Sequence, residues 1–188
     1  YLRQILFNFA PNIQVDIVGD TLNLLQISQT GSYQKAITPR LVSFCSNVIV
    51  APMVLDRFKG GCYNFHPGPP ESPGSHAASF AIYDRVETFG ATVHEMAASV
   101  DTGAIVGVDR FPVPNEFRFL ELEVLAHKNL LILFKKLAPY LVNTTQPLEH
   151  IDIQWGKQKR TRLEFKHMKQ ITNNMSEEEI RLRWRAFG

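Results

Sequence analysis

The stretch 63–74 constrains the fold more than any other part of the chain. It begins as a strand-like run in which alternate side chains face opposite sides, so Asn64 and His66 share one face while Tyr63 and Phe65 share the other. Four prolines and two glycines between 67 and 74 then end the strand, because proline donates no hydrogen bond to a ladder. The sequence predicts either two polar groups beside a stiff pocket rim, or a plain surface turn after a buried strand.

Two later segments favour the pocket rim. The run 89–96 alternates and is rich in β-forming residues, so it predicts a strand with His94 and Thr92 on one face. The segment 99–106 places Asp101 in the loop before a further strand predicted over 105–113. Alone, an aspartate before Thr-Gly is more typical of a turn than of a catalytic group.

Three ordered motifs together resemble those of the folate-dependent formyltransferases, which act on glycinamide ribonucleotide, methionyl-tRNA or sugar nucleotides. The motifs are Asn-x-His-Pro, Gly-x-Thr-Val-His and Val-Asp-Thr-Gly-x-Ile, within residues 40–142. The resemblance implies an α/β, Rossmann-like three-layer fold with a mainly parallel central sheet. It also implies that Asn64, His66 and Asp101 are the catalytic triad, with His94 as a further histidine near the site.

Ligand-binding positions follow from the same resemblance. The cosubstrate would be 10-formyltetrahydrofolate, held between the segment 48–50 and the loop 98–103 on either side of the triad. Its binding residues would be Val48, Ile49, Val50, Ala98, Val100 and Gly103. The acceptor would contact His94, Pro69, Pro70 and His76. Ordinary core positions remain the alternative for 48–50, and a solvated first-turn residue remains the alternative for His76.

The three triad residue types suit formyl transfer. An amine attacks the formyl carbon and a tetrahedral species forms, whose oxygen needs a hydrogen-bond donor such as the Asn64 amide. His66 changes protonation near neutrality and would handle the amine proton. Asp101 would orient that ring and favour its charged form. We expect no side-chain nucleophile and no covalent acyl-enzyme.

Composition sets further bounds. A length of 188 residues with 45% hydrophobic and 20% charged residues fits one globular domain, with no apolar run long enough to span a bilayer. The formal charge of +2 does not by itself imply a nucleic-acid partner. Cys45 and Cys62 are predicted to be buried free thiols, in keeping with a reducing cytoplasm. No His, Cys or carboxylate spacing matches a metal site, and a homodimer is left open.

The remaining segments are assigned by pattern. We predict short strands at 4–9 and 15–19, a strand or helical turn at 21–28, and a buried strand at 41–45. Helices are predicted at 53–58, 75–85 and 120–141, with a last helix from the cap Ser176 to Phe187. The basic segment 155–169 is interpreted as a solvated strand pair, with phosphate or base contact as the alternative. Residues 1–142 would be the catalytic domain, and 143–188 an extension packed on it.

The acceptor is expected to be the amino group of a nucleotide-linked amino sugar, in lipopolysaccharide biosynthesis. The low net charge argues against tRNA, as does the lack of room for the extra carboxy-terminal barrel of tRNA-acting relatives. The absence of an amino-terminal glycine-rich turn argues against glycinamide ribonucleotide. The alternatives are a methionyl-tRNA formyltransferase-like enzyme, a formyltetrahydrofolate hydrolase and a non-catalytic folate-binding domain.

Overall fold

The computed structural model describes residues 1–30 and 38–188, in which four strands form one sheet in the order β1-β2-β3-β4. The strands are β1 (Leu41–Phe44), β2 (Cys62–His66), β3 (Thr88–Glu95) and β4 (Ile105–Pro112). Strands β1 and β2 are parallel, whereas β2–β3 and β3–β4 are antiparallel. The α/β class is confirmed, but the prediction of a mainly parallel sheet is wrong for the described strands. The connection from β3 to β4 is shorter than the dozen or so residues that a parallel crossover needs.

Helices cover both faces of this sheet. They are α1 (Leu2–Phe9), α2 (Thr21–Thr30), α3 (Pro52–Leu55), α4 (Ala77–Tyr83), α5 (Phe119–Asn143), α6 (Arg162–Met168) and α7 (Glu177–Phe187). On one face, Tyr63 and Phe65 of β2 are buried in the same cluster as Leu130 and Phe134 of α5. On the other face, Cys62 joins a cluster with Val54 of α3 and Leu24 of α2. The same face of β2 also carries Asn64 and His66, so the two polar side chains of this strand lie together on one side of the sheet.

The amino-terminal strand predictions are wrong. Residues 4–9 belong to helix α1, and 15–19 form no strand. The apolar residues Leu2, Ile5, Leu6 and Phe9 follow the spacing of one helical face, and this helical period prevails over the β-propensity of the individual residues. For 21–28, the helical alternative is the correct one, since α2 spans this segment.

Most later elements agree with the predictions. The strands β2, β3 and β4 and the helices α4, α5 and α7 lie where the patterns put them, and Ser176 caps α7 by accepting a hydrogen bond from the Glu179 N–H at 3.2 Å. The strand pair predicted in 155–169 is wrong, because 162–168 form helix α6. Its capping box explains the difference: Thr161 Oγ1 accepts from the Glu164 N–H at 3.1 Å, and the Glu164 carboxylate accepts from the Thr161 N–H at 2.6 Å.

The segment after α5 contacts the rest of the protein at both ends. The Leu148 N–H donates to the buried Tyr63 hydroxyl at 2.8 Å. At the other end, Ala186 and Phe187 of α7 are buried in one cluster with Phe80 of α4. The segment 143–188 thus has contacts with β2 and α4, while the division into a catalytic domain and an extension at residue 142 stays a prediction.

The two cysteines are free but differ in exposure. Cys62 is buried, as predicted, whereas Cys45 is exposed, which corrects the prediction for that residue. Cys45 follows the last residue of β1 and has a left-handed φ of 51°, so the chain turns out of the sheet there. Within 1–30 and 38–188, no helix has the length and apolar character needed to cross a membrane.

Candidate active site

Antiparallel pairing of β2 with β3 brings the first two motifs together. In this register Asn64 lies opposite His94, and His66 lies opposite Thr92. Directly opposed residues on one face of a sheet have neighbouring side chains. Accordingly, Asn64 Nδ2 lies 3.1 Å from His94 Nε2. The period-2 pattern of each strand and their register therefore build half of the site.

Asp101 completes the cluster from the loop between β3 and β4. Its backbone has a left-handed φ of 52°, a region that aspartate tolerates better than most residues. Its Oδ2 accepts the Gly74 N–H at 2.8 Å, which ties the β3–β4 loop to the proline loop. Its Oδ1 lies 3.4 Å from His94 Nε2 and 3.9 Å from His66 Nδ1. The structure thus brings Asn64, His66, His94 and Asp101 together.

Burial governs the charges in this cluster. His66, His94 and Asp101 are 9%, 2% and 4% exposed. Burial lowers the pKa of His66, and this effect outweighs Asp101, which acts to raise it. We expected Asp101 to favour the imidazolium; its influence has that direction, but His66 is neutral near pH 7. Burial alone would raise the pKa of Asp101, but contact with His94, the His66 ring and the Gly74 N–H together hold it below its usual value.

Two buried polar atoms in the cluster have no hydrogen bond within the described parts of the chain. They are His66 Nε2 and Asp101 Oδ1, the latter being within ion-pair distance of both rings but without good hydrogen-bond geometry. Gly68 lies against the His66 atom, since a Cβ there would stand 2.6 Å from Nε2. Unsatisfied buried polar atoms are uncommon in folded proteins and often mark chemistry. The unpaired His66 Nε2 and Asp101 Oδ1 therefore mark this cluster as the candidate active site.

The proline loop is fixed to the sheet. Thr92 Oγ1 donates to the Gly68 carbonyl at 2.7 Å, and the Pro70 carbonyl accepts the Gly156 N–H at 2.8 Å. Pro69 and Pro70 are both buried, so their rings support the loop and present little surface to a ligand. Their contact with an acceptor stays a prediction.

Trp155 belongs to the cluster and was not among the predicted site residues. Its indole Nε1–H donates to the Gly103 carbonyl at 2.8 Å. The ring centroid lies 4.9 Å from that of His94 at an interplanar angle of 88°, and 6.2 Å from that of His66 at 71°. In the sequence, Trp155 stands out only as part of the basic segment 155–169. No local pattern marks it, because its partner Gly103 lies 52 residues earlier in the chain.

The predicted folate-binding residues are spread around the cluster. Val48 and Val50 are partly buried against the group that contains Val54, whereas Ile49 is 67% exposed. Ala98 and Val100 are also exposed. Gly103 lines a cleft of about 420 Å³ with Trp155 and its neighbours, the segments 102–105 and 150–155. The two segments offer apolar surface and loop backbone groups suited to a flat ring. Their position on either side of the triad and their contact with folate stay predictions.

His76 lies apart from these contacts. Its ring stacks on Phe165 of α6 with centroids 3.6 Å apart and an interplanar angle of 10°. The side chain is exposed, and its role toward an acceptor stays a prediction. As for metals, the described segments contain no group of three or more His, Cys, Asp or Glu residues placed to hold an ion.

Comparison with known proteins identifies the family. Residues 30–128, more than half of the chain, match the profile of the family described as "Formyl transferase". The chain belongs to this family. It is 41% identical over 66 residues to a phosphoribosylglycinamide formyltransferase of Mycobacterium tuberculosis, covering 35% of this chain and 31% of the relative. It is 42% identical over 91 residues to a methionyl-tRNA formyltransferase of Chlamydia abortus, covering 47% and 28%. The chain thus spans about a third or less of these curated relatives.

Solved structures with the same fold cover more of the chain. A 4-N formyltransferase from Francisella tularensis superposes with a TM-score of 0.73 at 18% identity, covering 98% of this chain and 84% of that one. The formyltransferase PseJ from Anoxybacillus kamchatkensis, in complex with UDP-4,6-dideoxy-4-formamido-L-AltNAc and tetrahydrofolate, gives 0.70 at 18%, covering 92% and 87%. A sugar N-formyltransferase from Shewanella gives 0.68 at 20%, covering 88% and 63%. These likenesses confirm the predicted formyltransferase fold.

Proposed function

We propose that this protein transfers the formyl group of 10-formyltetrahydrofolate to a primary amine, and that the acceptor is the amino group of a nucleotide-linked amino sugar. The observation that carries this proposal is the buried cluster of Asn64, His66, His94 and Asp101, in which His66 Nε2 has no hydrogen bond from residues 1–30 and 38–188. The cluster combines an amide donor, a neutral base and an ionised carboxylate. These are the three functions that acyl transfer to an amine requires.

Asn64 is the proposed donor to the developing oxyanion. His94 Nδ1–H donates to the Glu95 carbonyl at 2.7 Å. Its Nε2 lies 3.1 Å from the Asn64 amide nitrogen and 3.4 Å from Asp101 Oδ1, so the Asn64 side chain is held against the ring. An N–H of the amide remains for the substrate oxygen. An oxyanion donor fixed in this way needs no reorganisation during the reaction.

His66 is the proposed proton acceptor. Burial lowers its pKa, so the ring is neutral and its Nε2 lone pair is ready at neutral pH. As the amine nitrogen bonds to the formyl carbon, Nε2 takes the amine proton and Asp101 stabilises the resulting imidazolium from 3.9 Å. The tetrahedral species then breaks its bond to the folate nitrogen, which receives a proton from the same ring. No metal or covalent intermediate enters this scheme.

The sugar nucleotide is favoured by whole-chain likeness. Three neighbours, named as a sugar N-formyltransferase, a "likely sugar N-formyltransferase" and a 4-N formyltransferase, superpose on 88%, 95% and 98% of the chain. The net charge of +2 is low for a tRNA partner. In the basic segment, Arg160 pairs with Asp84 at 2.7 Å and Lys159 donates to the Val100 carbonyl. Lys157, Arg162 and Lys166 are exposed cations that suit the diphosphate of a sugar nucleotide. With this acceptor, we propose that the protein acts in the cytoplasm, in lipopolysaccharide biosynthesis.

Methionyl-tRNA and glycinamide ribonucleotide are the second candidates. The chain is 41% identical to a phosphoribosylglycinamide formyltransferase and 42% identical to a methionyl-tRNA formyltransferase, which favours these acceptors. Both identities are higher than the identity to any structural neighbour described above. Those matches span 66 and 91 residues, so they describe the motif region and leave the acceptor side open.

A mass-spectrometric screen tests the proposal. The protein is incubated with 10-formyltetrahydrofolate and a panel of amino-sugar nucleotides, with glycinamide ribonucleotide and methionyl-tRNA in parallel. We expect one sugar nucleotide to gain the mass of one CO. Formylation of tRNA or ribonucleotide alone would overturn the acceptor, and folate deformylation without any acceptor would indicate a hydrolase. Folate binding by calorimetry without turnover on any amine would indicate a non-catalytic domain.

A further inference from the structure

Trp155 makes contacts that go beyond filling space. The residue is only partly buried and comes from the segment after α5, outside the sheet. Its ring nevertheless stands edge to face with both cluster histidines, at 4.9 Å from His94 and 6.2 Å from His66. It also lines the cleft of about 420 Å³. One indole therefore separates this cleft from the two buried imidazoles.

A short series of contacts links the indole to the orientation of His94. The Trp155 Nε1–H holds the Gly103 carbonyl at 2.8 Å. Gly103 is pressed against the Glu95 carbonyl so closely that a Cβ would stand 1.9 Å from its oxygen. That same Glu95 oxygen accepts the His94 Nδ1–H at 2.7 Å. The indole thus supports His94 directly through its ring and indirectly through the Gly103 backbone.

We propose that Trp155 is a positioning residue for the formyl transfer described above: it fixes the His94 ring, and through it the Asn64 amide, and it keeps water from the imidazoles. This inference rests on the proposed function for its kinetic consequence. The structural part of the inference, that Trp155 fixes the His94 ring and keeps water from both imidazoles, does not depend on which reaction the protein catalyses. Without the indole, the Asn64 amide would lose a fixed partner, and small displacements of a catalytic group are costly.

Three variants test the role of the ring. Trp155→Ala removes the ring and the N–H, whereas Trp155→Phe keeps a ring but loses the hydrogen bond to Gly103. Trp184→Ala is the matched control, because Trp184 is 60% exposed and its ring contacts Arg118 at 4.0 Å. For Trp155→Ala we expect kcat to fall at least about tenfold with little change in acceptor KM, and for Trp155→Phe a smaller loss. A control-like kcat in Trp155→Ala would overturn the proposal.

Nuclear magnetic resonance of the imidazoles supplies a readout that needs no acceptor. Long-range nitrogen–proton spectra report the tautomer of His94, and the ring protons report the titration of His66. In Trp155→Ala we expect the single His94 tautomer to be lost and the pKa of His66 to rise toward its ordinary value, because the ring becomes hydrated. In Trp184→Ala we expect both to be unchanged.

The two readouts separate failure of this inference from failure of the proposed function. Imidazole changes in Trp155→Ala without formyl transfer in the wild-type protein would keep the positioning role and reject the reaction. Formyl transfer with unchanged imidazoles would reject the positioning role. If Trp155→Ala does not fold, Trp155→Phe decides, and wild-type His94 spectra in that variant would count against the role of the Gly103 hydrogen bond.

Discussion

His66 and Asp101 show how burial and pairing compete within one residue pair. Burial disfavours charge on both groups, yet the outcome differs. Asp101 accepts the Gly74 N–H and contacts His94, and these interactions hold its pKa below the usual value, so it stays ionised. His66 has one carboxylate at 3.9 Å and a second imidazole nearby, so burial prevails and the ring stays neutral. The balance between burial and local partners therefore determines the charge of each group: the proposed base His66 is neutral, and the carboxylate of Asp101 is ionised.

Asp101→Asn tests the pair directly. Asparagine tolerates the left-handed φ of 52° and keeps an oxygen for the Gly74 N–H, so the fold should survive. Because Asp101 acts to raise the pKa of His66, its removal should lower that pKa further, as measured by ring-proton titration. The exposed Glu116→Gln is the control. A rise in the pKa of His66 in Asp101→Asn would contradict the account.

The pH dependence follows from the lowered pKa of His66. The proposed base works only when it is neutral. Because the pKa of His66 is lowered, kcat/KM should stay constant as pH is lowered to ~6.5, where an ordinary histidine is half protonated, and should decrease only at lower pH. The unfolded state binds the proton more readily, so stability should also decline as pH falls below about 6.5 toward the folded-state pKa. Urea unfolding of His66→Gln across this range should show a smaller decline than wild type. An equal decline in both proteins would argue against a buried neutral His66.

At the scale of elements, the loop 96–104 carries much of the site. It turns β3 into β4, holds Asp101 in a left-handed conformation and presents Gly103 to both Trp155 and Glu95. Such close backbone approach is available only to glycine. The loop's sequence therefore reflects two demands at once, a tight turn and a buried carboxylate.

Gly103→Ala should disturb this loop. The added Cβ would meet the Glu95 oxygen at 1.9 Å, and forced overpacking of this kind typically costs about 1–3 kcal/mol. Gly19→Ala is the matched control, because a Cβ there meets nothing within 4 Å. We expect a lower urea midpoint and slower formyl transfer for Gly103→Ala only. Equal midpoints for the two variants would show that the loop adapts without cost.

The sequence was most informative where function depends on local periodicity. Alternation placed Asn64 with His66 and His94 with Thr92, and the resemblance added Asp101. The register of β2 and β3, which places Asn64 opposite His94, cannot be predicted from the sequence of either strand alone. Trp155 and the antiparallel sheet depend on contacts between distant segments, which local patterns do not encode. The error at α1 is different, since its helical period was present in the sequence.

At the scale of the whole molecule, the segment after α5 is joined to the sheet and to the proline loop by backbone hydrogen bonds and buried contacts. The Tyr63 hydroxyl of β2 accepts the Leu148 N–H, and α7 packs on α4. The proposed catalytic cluster contacts Trp155, a residue from the last quarter of the chain. A folded site should require that segment.

Tyr63→Phe tests the first of these contacts. It leaves the buried Leu148 N–H without its acceptor, at a cost of about 1–3 kcal/mol. Tyr140→Phe, at an exposed hydroxyl, is the control and should change unfolding by less than about 0.5 kcal/mol. Chemical unfolding measures both, and equal stabilities would show that the Leu148 N–H is satisfied by other means.

The most direct measurement of the central claim is the rate of formyl transfer from 10-formyltetrahydrofolate to an amine by the wild-type protein, Asn64→Ala and His66→Ala. Loss of an oxyanion donor typically costs on the order of 100- to 1,000-fold, and loss of a general base about 100-fold or more. The account predicts losses of this size in both variants, with folate binding retained by calorimetry. A loss of about tenfold or less in both variants would contradict it.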